Sequence, residues 1–341
     1  MEHLGRSGRE ICRDFYEDVV APRLASDYAA LPYAAALLGR GSEVQGFDDA
    51  MSADHNLEAR VLIFLSEDDA RHHGNVIEAR LRAALPTTYA DRPTHVEVLT
   101  IDRFLQARLG ISPDGDHPLT AADWLTIEEN NLRMITSGPI FHDDLDLTER
   151  QRQLAFYPHD VWLYLMLAAW WRLHPEANLV GRTGWVGDEL GSAVIGARLV
   201  RNLMRLAFLQ ERQYAPYAKW FGTAFSRLEC AASLGPQLAQ VLQARDWQER
   251  EAALIDCYRV VAANHDRLQV TPPVDTGTTQ LWDRPFRVFW GDFPGALRQA
   301  ITDPEVIDIA DRWPVGAVDD LREAVAIPRF QPGLAALVRE G

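Results

Sequence analysis

The hydrophobic pattern of this chain changes period once, and that change limits the fold more than any single residue does. An extended apolar piece, 33–38, empties into Gly39-Arg40-Gly41-Ser42, and Ala59-Arg60-Val61-Leu62-Ile63-Phe64-Leu65 is the most strand-like segment of all. A second alternating run, His95-Val96-Glu97-Val98-Leu99-Thr100-Ile101, completes a set of short strands bounded by glycine and polar residues. Between the last two, Ile77, Leu81 and Leu85 recur at helical spacing over 68–85, and Ile11, Phe15, Val19 and Val20 mark an opening amphipathic helix over 8–28. Past Pro158 only helical patterns remain, over 160–173, 188–211, 234–242, 247–264 and 293–301, separated by Gly and Pro. The chain is therefore expected to be α+β, with a mixed sheet and helices over 1–155 and an all-helical domain over 156–341.

Charge and cysteine usage narrow the function. Across 341 residues, 34 basic side chains face 49 acidic ones, for a net charge of -15, which repels a polyanion at long range. The charge disfavours nucleic acid as a partner. Cys12, Cys230 and Cys257 form no C-x-x-C pair, so neither a disulfide framework nor a zinc knuckle is encoded, and a reducing cytoplasm is the expected location. The longest apolar run, 161–171, is about half of the ~20 residues a bilayer span needs. Glu2, Arg6, Arg9 and Glu10 stand where a secretory signal would carry its apolar core, so no membrane partner is expected. The sequence has no Walker loop, G-x-S-x-G or G-x-G-x-x-G, and its only histidine cluster, His72-His73, reads as a solvated helix face.

The first glycine loop carries the clearest chemistry. A Gly41-Ser42 pair precedes Asp54-His55-Asn56, with Glu43, Gly46-Phe47-Asp48-Asp49 and Ser52 between them. The nearest template is the nucleotidyltransferase signature G-[GS], roughly ten residues, then D-x-[DE]. Glycine lets a backbone approach a triphosphate, serine adds a hydroxyl and an N–H, and carboxylates two apart on a strand project to one face to hold Mg²⁺. Two such ions activate an attacking hydroxyl and stabilise departing pyrophosphate. A turn with Asp and Asn at its ends would explain the same residues without chemistry.

Wider wording supports the first reading. Gly41-Ser42 through Asp49, Ser52-Ala53-Asp54-His55, Tyr157-Pro158-His159-Asp160-Val161-Trp162, Gly187-Asp188-Glu189-Leu190-Gly191-Ser192 and the stretch from Tyr214 to Thr223 run through most of the chain. In these blocks the sequence resembles a bacterial nucleotidyltransferase-like family, domain of unknown function 4037, within the DNA polymerase beta-type superfamily. The resemblance implies an N-terminal nucleotidyltransferase fold followed by helices like those of small-molecule nucleotidyltransferases. It also implies D-H-D where this chain has Asp54-His55-Asn56, so an amide stands in for the second carboxylate. Asn ligates Mg²⁺ through its carbonyl without charge, and Glu58, which shares the strand face of Asp54 and Asn56, or Asp48 and Asp49 in the preceding loop could supply the substitute acid. The superfamily uses a third carboxylate on a neighbouring strand, and Glu97, between Val96 and Val98, has the right pattern, which an outward-facing strand residue without chemistry would share. Asp102, Asp143 and Asp144 are weaker candidates, because Phe141-His142-Asp143-Asp144 reads as the turn closing the first domain.

In the helical half, Lys219 is the only lysine in the chain. With Tyr217 and Trp220 it could offer a compact cation to a triphosphate and an aromatic surface to a base, or the aromatics could belong to the core. Asp188 and Glu189 open a helix, where acidic residues favour the macrodipole. The expected function is Mg²⁺-dependent transfer of a nucleoside monophosphate, AMP in the first instance, from an NTP such as ATP to a small-molecule acceptor. Gly41 and Ser42 grip the triphosphate, Asp54 and Asn56 hold metal, and Glu97 completes the set. The alternative is a catalytically degenerate nucleotide-binding or partner-binding protein. A homodimer stays open.

Overall fold

The computed structural model describes residues 6–49, 58–111 and 118–320. In chain order the elements are α1 (Gly8–Phe15), a π-helical turn (Tyr16–Val20), α2 (Ala21–Asp27), β1 (Ala34–Ala36), α3 (Ser42–Gln45), β2 (Ala59–Phe64), α4 (Glu67–Asp69), a second π-helical turn (Ala70–Gly74) and α5 (Asn75–Ala84). Next come β3 (Thr88–Tyr89), β4 (Arg92–Leu99), α6 (Ile101–Leu109), α7 (Ala121–Thr126), α8 (Glu129–Thr136), β5 (Ile140–Asp143) and α9 (Leu147–Gln153). The remainder is α10 (His159–Leu173), α11 (Leu179–Trp185), α12 (Glu189–Gln210), α13 (Ala218–Phe225), α14 (Ala231–Gln243), α15 (Trp247–Leu268), β6 (Gly277–Gln280), β7 (Arg287–Trp290), α16 (Phe293–Ala300), α17 (Pro304–Arg312) and a 3₁₀ turn (Val318–Asp320). Two compact units result: Met1–Leu119 with Glu129–Ala155, and Thr120–Glu128 with Phe156–Gly341.

The first unit is built on a five-stranded mixed sheet in the order β3-β4-β2-β1-β5. β2 and β4 are parallel, with Ala59 opposite Thr94 and Leu62 opposite Glu97, and every other pair is antiparallel. Strand alternation sends Val61, Ile63, Val96 and Val98 to one face, where they meet Ile11, Phe15, Val19, Val20, Ile77 and Leu81 in a single core. The opening helix continues from α1 through the π turn into α2, started by a Ser7–Glu10 capping box. On the opposite face Phe64 meets Phe104 of α6 edge-on, with ring centroids 5.6 Å apart. Phe141-His142-Asp143 is not the expected turn: it forms β5, a sheet edge paired with β1. The Asp143 carboxylate accepts the backbone N–H groups of Leu147 and Thr148 and so opens α9.

In the second unit α10 is apolar on almost every side and accordingly buried along its length, with Trp162 and Tyr164 among the largest enclosed side chains. Trp162 donates its indole N–H to the Leu209 carbonyl at 2.7 Å, and the Arg212 guanidinium lies 4.1 Å from its ring centroid. The expectation of an all-helical second half is corrected by β6 and β7, which pair antiparallel from Gly277 opposite Trp290 to Gln280 opposite Arg287. Thr278 and Thr279 at the centre of β6 suit a pleated, half-buried ribbon rather than a helix. Among the described residues no helix is long and apolar enough to cross a membrane. All three cysteines are buried and unpaired, and burial pushes the Cys12 thiol up to about 11.

Candidate functional site

The loop between β1 and α3 leaves the sheet through two glycines in the left-handed region, Gly39 at φ 84° and Gly41 at φ 131°. The second combines that φ with a ψ of 144°, a conformation essentially reserved for glycine. A Cβ on Gly41 would fall 2.1 Å from an oxygen of Glu43, so the carboxylate lies directly against this stretch of backbone. Glu43 is nearly enclosed, its side chain 3% exposed, and it is held by Arg60: Nε and Nη2 donate to Glu43 Oε1 at 3.2 and 2.9 Å. Arg60 also donates to the carbonyls of Leu38 and Arg40, so a single side chain reaches both ends of the turn.

Further bonds fix the loop from behind. Arg9 donates to the carbonyls of Glu43 and Val44, at 2.9 and 2.5 Å, and to that of Ser137 at 2.7 Å. Asp48 accepts the Gly8 N–H at 2.7 Å, which makes it part of the start of α1. Phe47 is buried, with the Arg133 guanidinium 5.1 Å from its ring centroid.

The sheet face carrying Arg60 and Leu62 also carries His95 and Glu97, because parallel register places Arg60 opposite His95 and Leu62 opposite Glu97. Arg108 of α6 arrives there as well, its Nη2 3.2 Å from where a Cβ on Gly39 would stand. Burial lowers the Arg108 pKa, the charges of Arg40 and Arg60 lower it further, and Glu97 opposes them. Three guanidiniums and two carboxylates thus share the surroundings of the glycine turn. A small region of positive excess exists in a chain of net charge -15.

Each expected site residue has its place. Gly41 and Ser42 are half-buried in the turn and at the first position of α3, and Glu97 is exposed on β4. Asp49 and Glu58, both half-buried, flank the segment 50–57. Asp54 and Asn56 lie outside the described residues. Among the described residues no group of three or more His, Cys, Asp or Glu side chains could hold a metal ion, so Asp49, Glu58 and Glu97 do not assemble one by themselves. Asp102 is committed to Arg150 at 2.8 Å. Tyr217 and Lys219 belong to the second unit, exposed at the start of α13, with the Lys219 ammonium 4.7 Å from the Trp220 ring centroid. Their neighbours Tyr214 and Trp220 are core residues, 3% and 6% exposed.

Arg40, Glu43, Arg60 and Arg108 are the residues that motif reasoning passes over. The signal for Arg60 is a lone guanidinium inside the apolar run from Ala59 to Leu65, where a strand facing helices on both sides would carry Val or Leu. Nothing comparable marks Arg108, one of 33 arginines.

Residues 124–221 match the model of a family described as a domain of unknown function (DUF4037). The matched stretch contains the blocks at 157–162, 187–192 and 214–221 and stops short of the glycine loop. Those blocks do architectural work here. Asp160 accepts N–H bonds from Thr302 and Asp303 at 2.7 and 2.5 Å, and Asp188 accepts from Gly191 at 2.7 Å as the cap of α12. Glu189 pairs with the buried Arg250 at 3.2 Å, and Ser192 accepts from the same guanidinium at 2.7 Å. Among solved structures, the chain is similar to a nucleotidyltransferase-like protein from Exiguobacterium sibiricum 255-15, at 9% identity and a TM-score of 0.34, over 80% of this chain and 97% of that one. No curated protein matches the chain.

Proposed function

We propose that the turn from Gly39 to Ser42 takes the triphosphate of an NTP, ATP in the first instance, and that the chain transfers the nucleoside monophosphate to a hydroxyl on a small-molecule acceptor. The observation that supports this reading is the convergence of Arg40, Arg60 and Arg108 on a glycine turn where Arg60 neutralises the Glu43 carboxylate that packs against Gly41. Planar guanidiniums bind phosphate oxygens with two parallel hydrogen bonds, and a polyphosphate offers the negative charge that this region lacks.

In this scheme the Ser42 hydroxyl and N–H bind the outer phosphates. Arg40 and Arg108 take up the charge that grows on pyrophosphate as its bond to the α-phosphorus breaks. Glu97 accepts the proton of the attacking acceptor hydroxyl. Mg²⁺, held by Asp54 and the Asn56 carbonyl with Asp49 or Glu58 as neighbouring acid, would neutralise phosphate oxygens when bound. The acidic net charge favours a small acceptor over RNA.

A second reading, binding without transfer, is favoured by one specific observation. The charge of Glu97 acts on Arg108, and among the described residues Glu97 belongs to no group of three or more His, Cys, Asp or Glu side chains that could hold a metal ion. Pyrophosphate release from ATP with Mg²⁺ and a mixed panel of hydroxyl acceptors separates the two. Transfer predicts release by the parent chain that is lost in Glu97→Gln and kept or raised in Asn56→Asp. ATP binding without release by the parent, and release only in Asn56→Asp, supports the degenerate binder.

A further inference from the structure

The block Gly46-Phe47-Asp48 follows the glycine turn in the sequence motif, yet the nucleotide reading gives it no task. Each of its residues is tied to another part of the first unit. Gly46 ends α3 at φ 70°, and a Cβ there would press on the Arg9 guanidinium carbon, 3.4 Å away. The bare glycine supplies both the left-handed turn and the room that Arg9 occupies. Phe47 is buried with Arg133 over its ring, and its backbone N–H donates to the Ser42 carbonyl at 2.9 Å. Asp48 receives the Gly8 N–H. The block is therefore a seat for the first turn of α1.

Arg9 is the side chain that the seat receives. Its Nε donates to the Glu43 carbonyl, and its Nη2 donates to the carbonyls of Val44 and Ser137. Glu43 and Val44 belong to the last turn of α3, whose carbonyls a helix cannot satisfy from within, and Ser137 directly follows α8. One guanidinium thus joins α1 to the ends of two other helices. The bonding suits arginine, because two nitrogens of one rigid plane serve three acceptors, whereas a lysine brings a single point charge. With only four residues, α3 is too short to be stable by itself. The place of Ser42, its first residue, depends on whatever holds its last two.

We propose that Arg9 is a positioning residue of the glycine turn: by holding the end of α3 it sets the place of Ser42 at its start, and with it the affinity for a triphosphate. The triphosphate in this role rests on the nucleotide reading above, whereas the hold of Arg9 on the turn does not. Gly46, Phe47 and Asp48 then belong to the motif because they dock α1, and the opening helix becomes part of the site.

The experiment compares amide hydrogen exchange and the binding of ATP and AMP in the full-length parent, Arg9→Met, Arg9→Lys and Phe15→Leu, the last a core substitution in the same helix. In Arg9→Met the Gly46 and Phe47 amides are expected to lose protection while those of β2 keep it. ATP affinity should fall about tenfold, the worth of one hydrogen bond to a charged group, and AMP affinity should fall less. Arg9→Lys should recover part of both, and it carries the comparison if Arg9→Met melts early. Phe15→Leu should lower the urea midpoint and leave the ratio of ATP to AMP affinity as in the parent. Unchanged protection of Gly46 and Phe47 in Arg9→Met, or a ratio that moves equally in Phe15→Leu, would overturn the proposal. A parent that binds no ATP contradicts the nucleotide reading instead and removes the triphosphate from the role of Arg9, while the exchange of Gly46 and Phe47 decides whether Arg9 holds the turn.

Discussion

The surroundings of the glycine turn and the region around α10 solve opposite problems. Around α10 most side chains are apolar, large and enclosed; Trp162 donates to the Leu209 carbonyl, and Arg172 pairs with the buried Asp320 at the helix end. Around Gly41 the side chains are charged, and a nearly buried ion pair, Arg60 with Glu43, fills the space where a core would place leucine. A buried ion pair is a poor way to gain stability, because desolvation offsets most of the attraction. Its presence in the middle of the sheet teaches that this part of the first unit holds charge in place around a backbone turn at some cost to folding, whereas the pair of Arg172 with Asp320 is set in the apolar surroundings of α10.

The contrast is broken most strongly in the helical core. Trp162→Ala is expected to cost ~3–5 kcal/mol, read as a lower urea midpoint, with any surviving folded protein binding ATP as before. A loss of ATP affinity in that folded fraction would mean that the two regions are not separable.

Arg60→Met comes next. It leaves Glu43 enclosed without its partner and should destabilise by ~3 kcal/mol. Adding Glu43→Leu is expected to recover most of that stability, since a matched apolar pair is often as stable as the ion pair it replaces. ATP affinity should stay low in the double variant. Recovery of stability and affinity together would assign the pair a purely structural role.

Acid sensitivity sharpens the comparison. His265 is 1% exposed, and burial lowers its pKa while Asp266 opposes the shift only in part. A histidine depressed in the folded state leaves the unfolded chain binding more protons below about pH 6.5, so stability is complete above that pH and declines as pH falls through it. The Asp160 carboxyl is pushed up by burial but brought below its ordinary value by the bonds from Asp303 and Thr302. Its contribution is complete above about pH 4 and is lost as pH falls further. Urea midpoints measured from pH 8 to pH 3 should therefore fall in two stages, and His265→Phe should remove the first. A flat profile between pH 7 and pH 5 would mean that the histidine is not held neutral.

How much of this was readable in advance follows from the residues. The long helices and β2 declare themselves because each buries one periodic face or a continuous run, as Ile77 and Leu81 or Val61 and Ile63 do. β5 does not, because all four of its residues are half-buried and no alternation results. Nor does α11, with two glycines in seven residues. At the site, the glycine turn is legible as a motif, because left-handed backbone requires glycine. The arginines are not, since β2 and α6 converge on the loop only through sheet register. Asp54 and Asn56, the most specific part of the motif, lie outside the described residues.

The smallest expected effect belongs to Lys219. Its ammonium over Trp220 is an exposed cation–π contact, so Lys219→Ala should cost ~0.5–1 kcal/mol of stability. A selective drop in ATP over AMP affinity in the same variant would assign the ammonium to the outer phosphates, and equal losses would leave it a surface residue.

The central claim, that the glycine turn binds a triphosphate, is tested most directly by thermal unfolding of the parent, Ser42→Ala and Arg60→Met/Glu43→Leu chains with ATP or AMP, each with and without Mg²⁺. ATP at 100 times its dissociation constant should stabilise the parent by about 2.7 kcal/mol. At equal concentration, AMP should stabilise it less, and both variants should lose most of the ATP effect. An unchanged parent melting temperature in saturating ATP, or an ATP shift that survives in both variants, would contradict the claim.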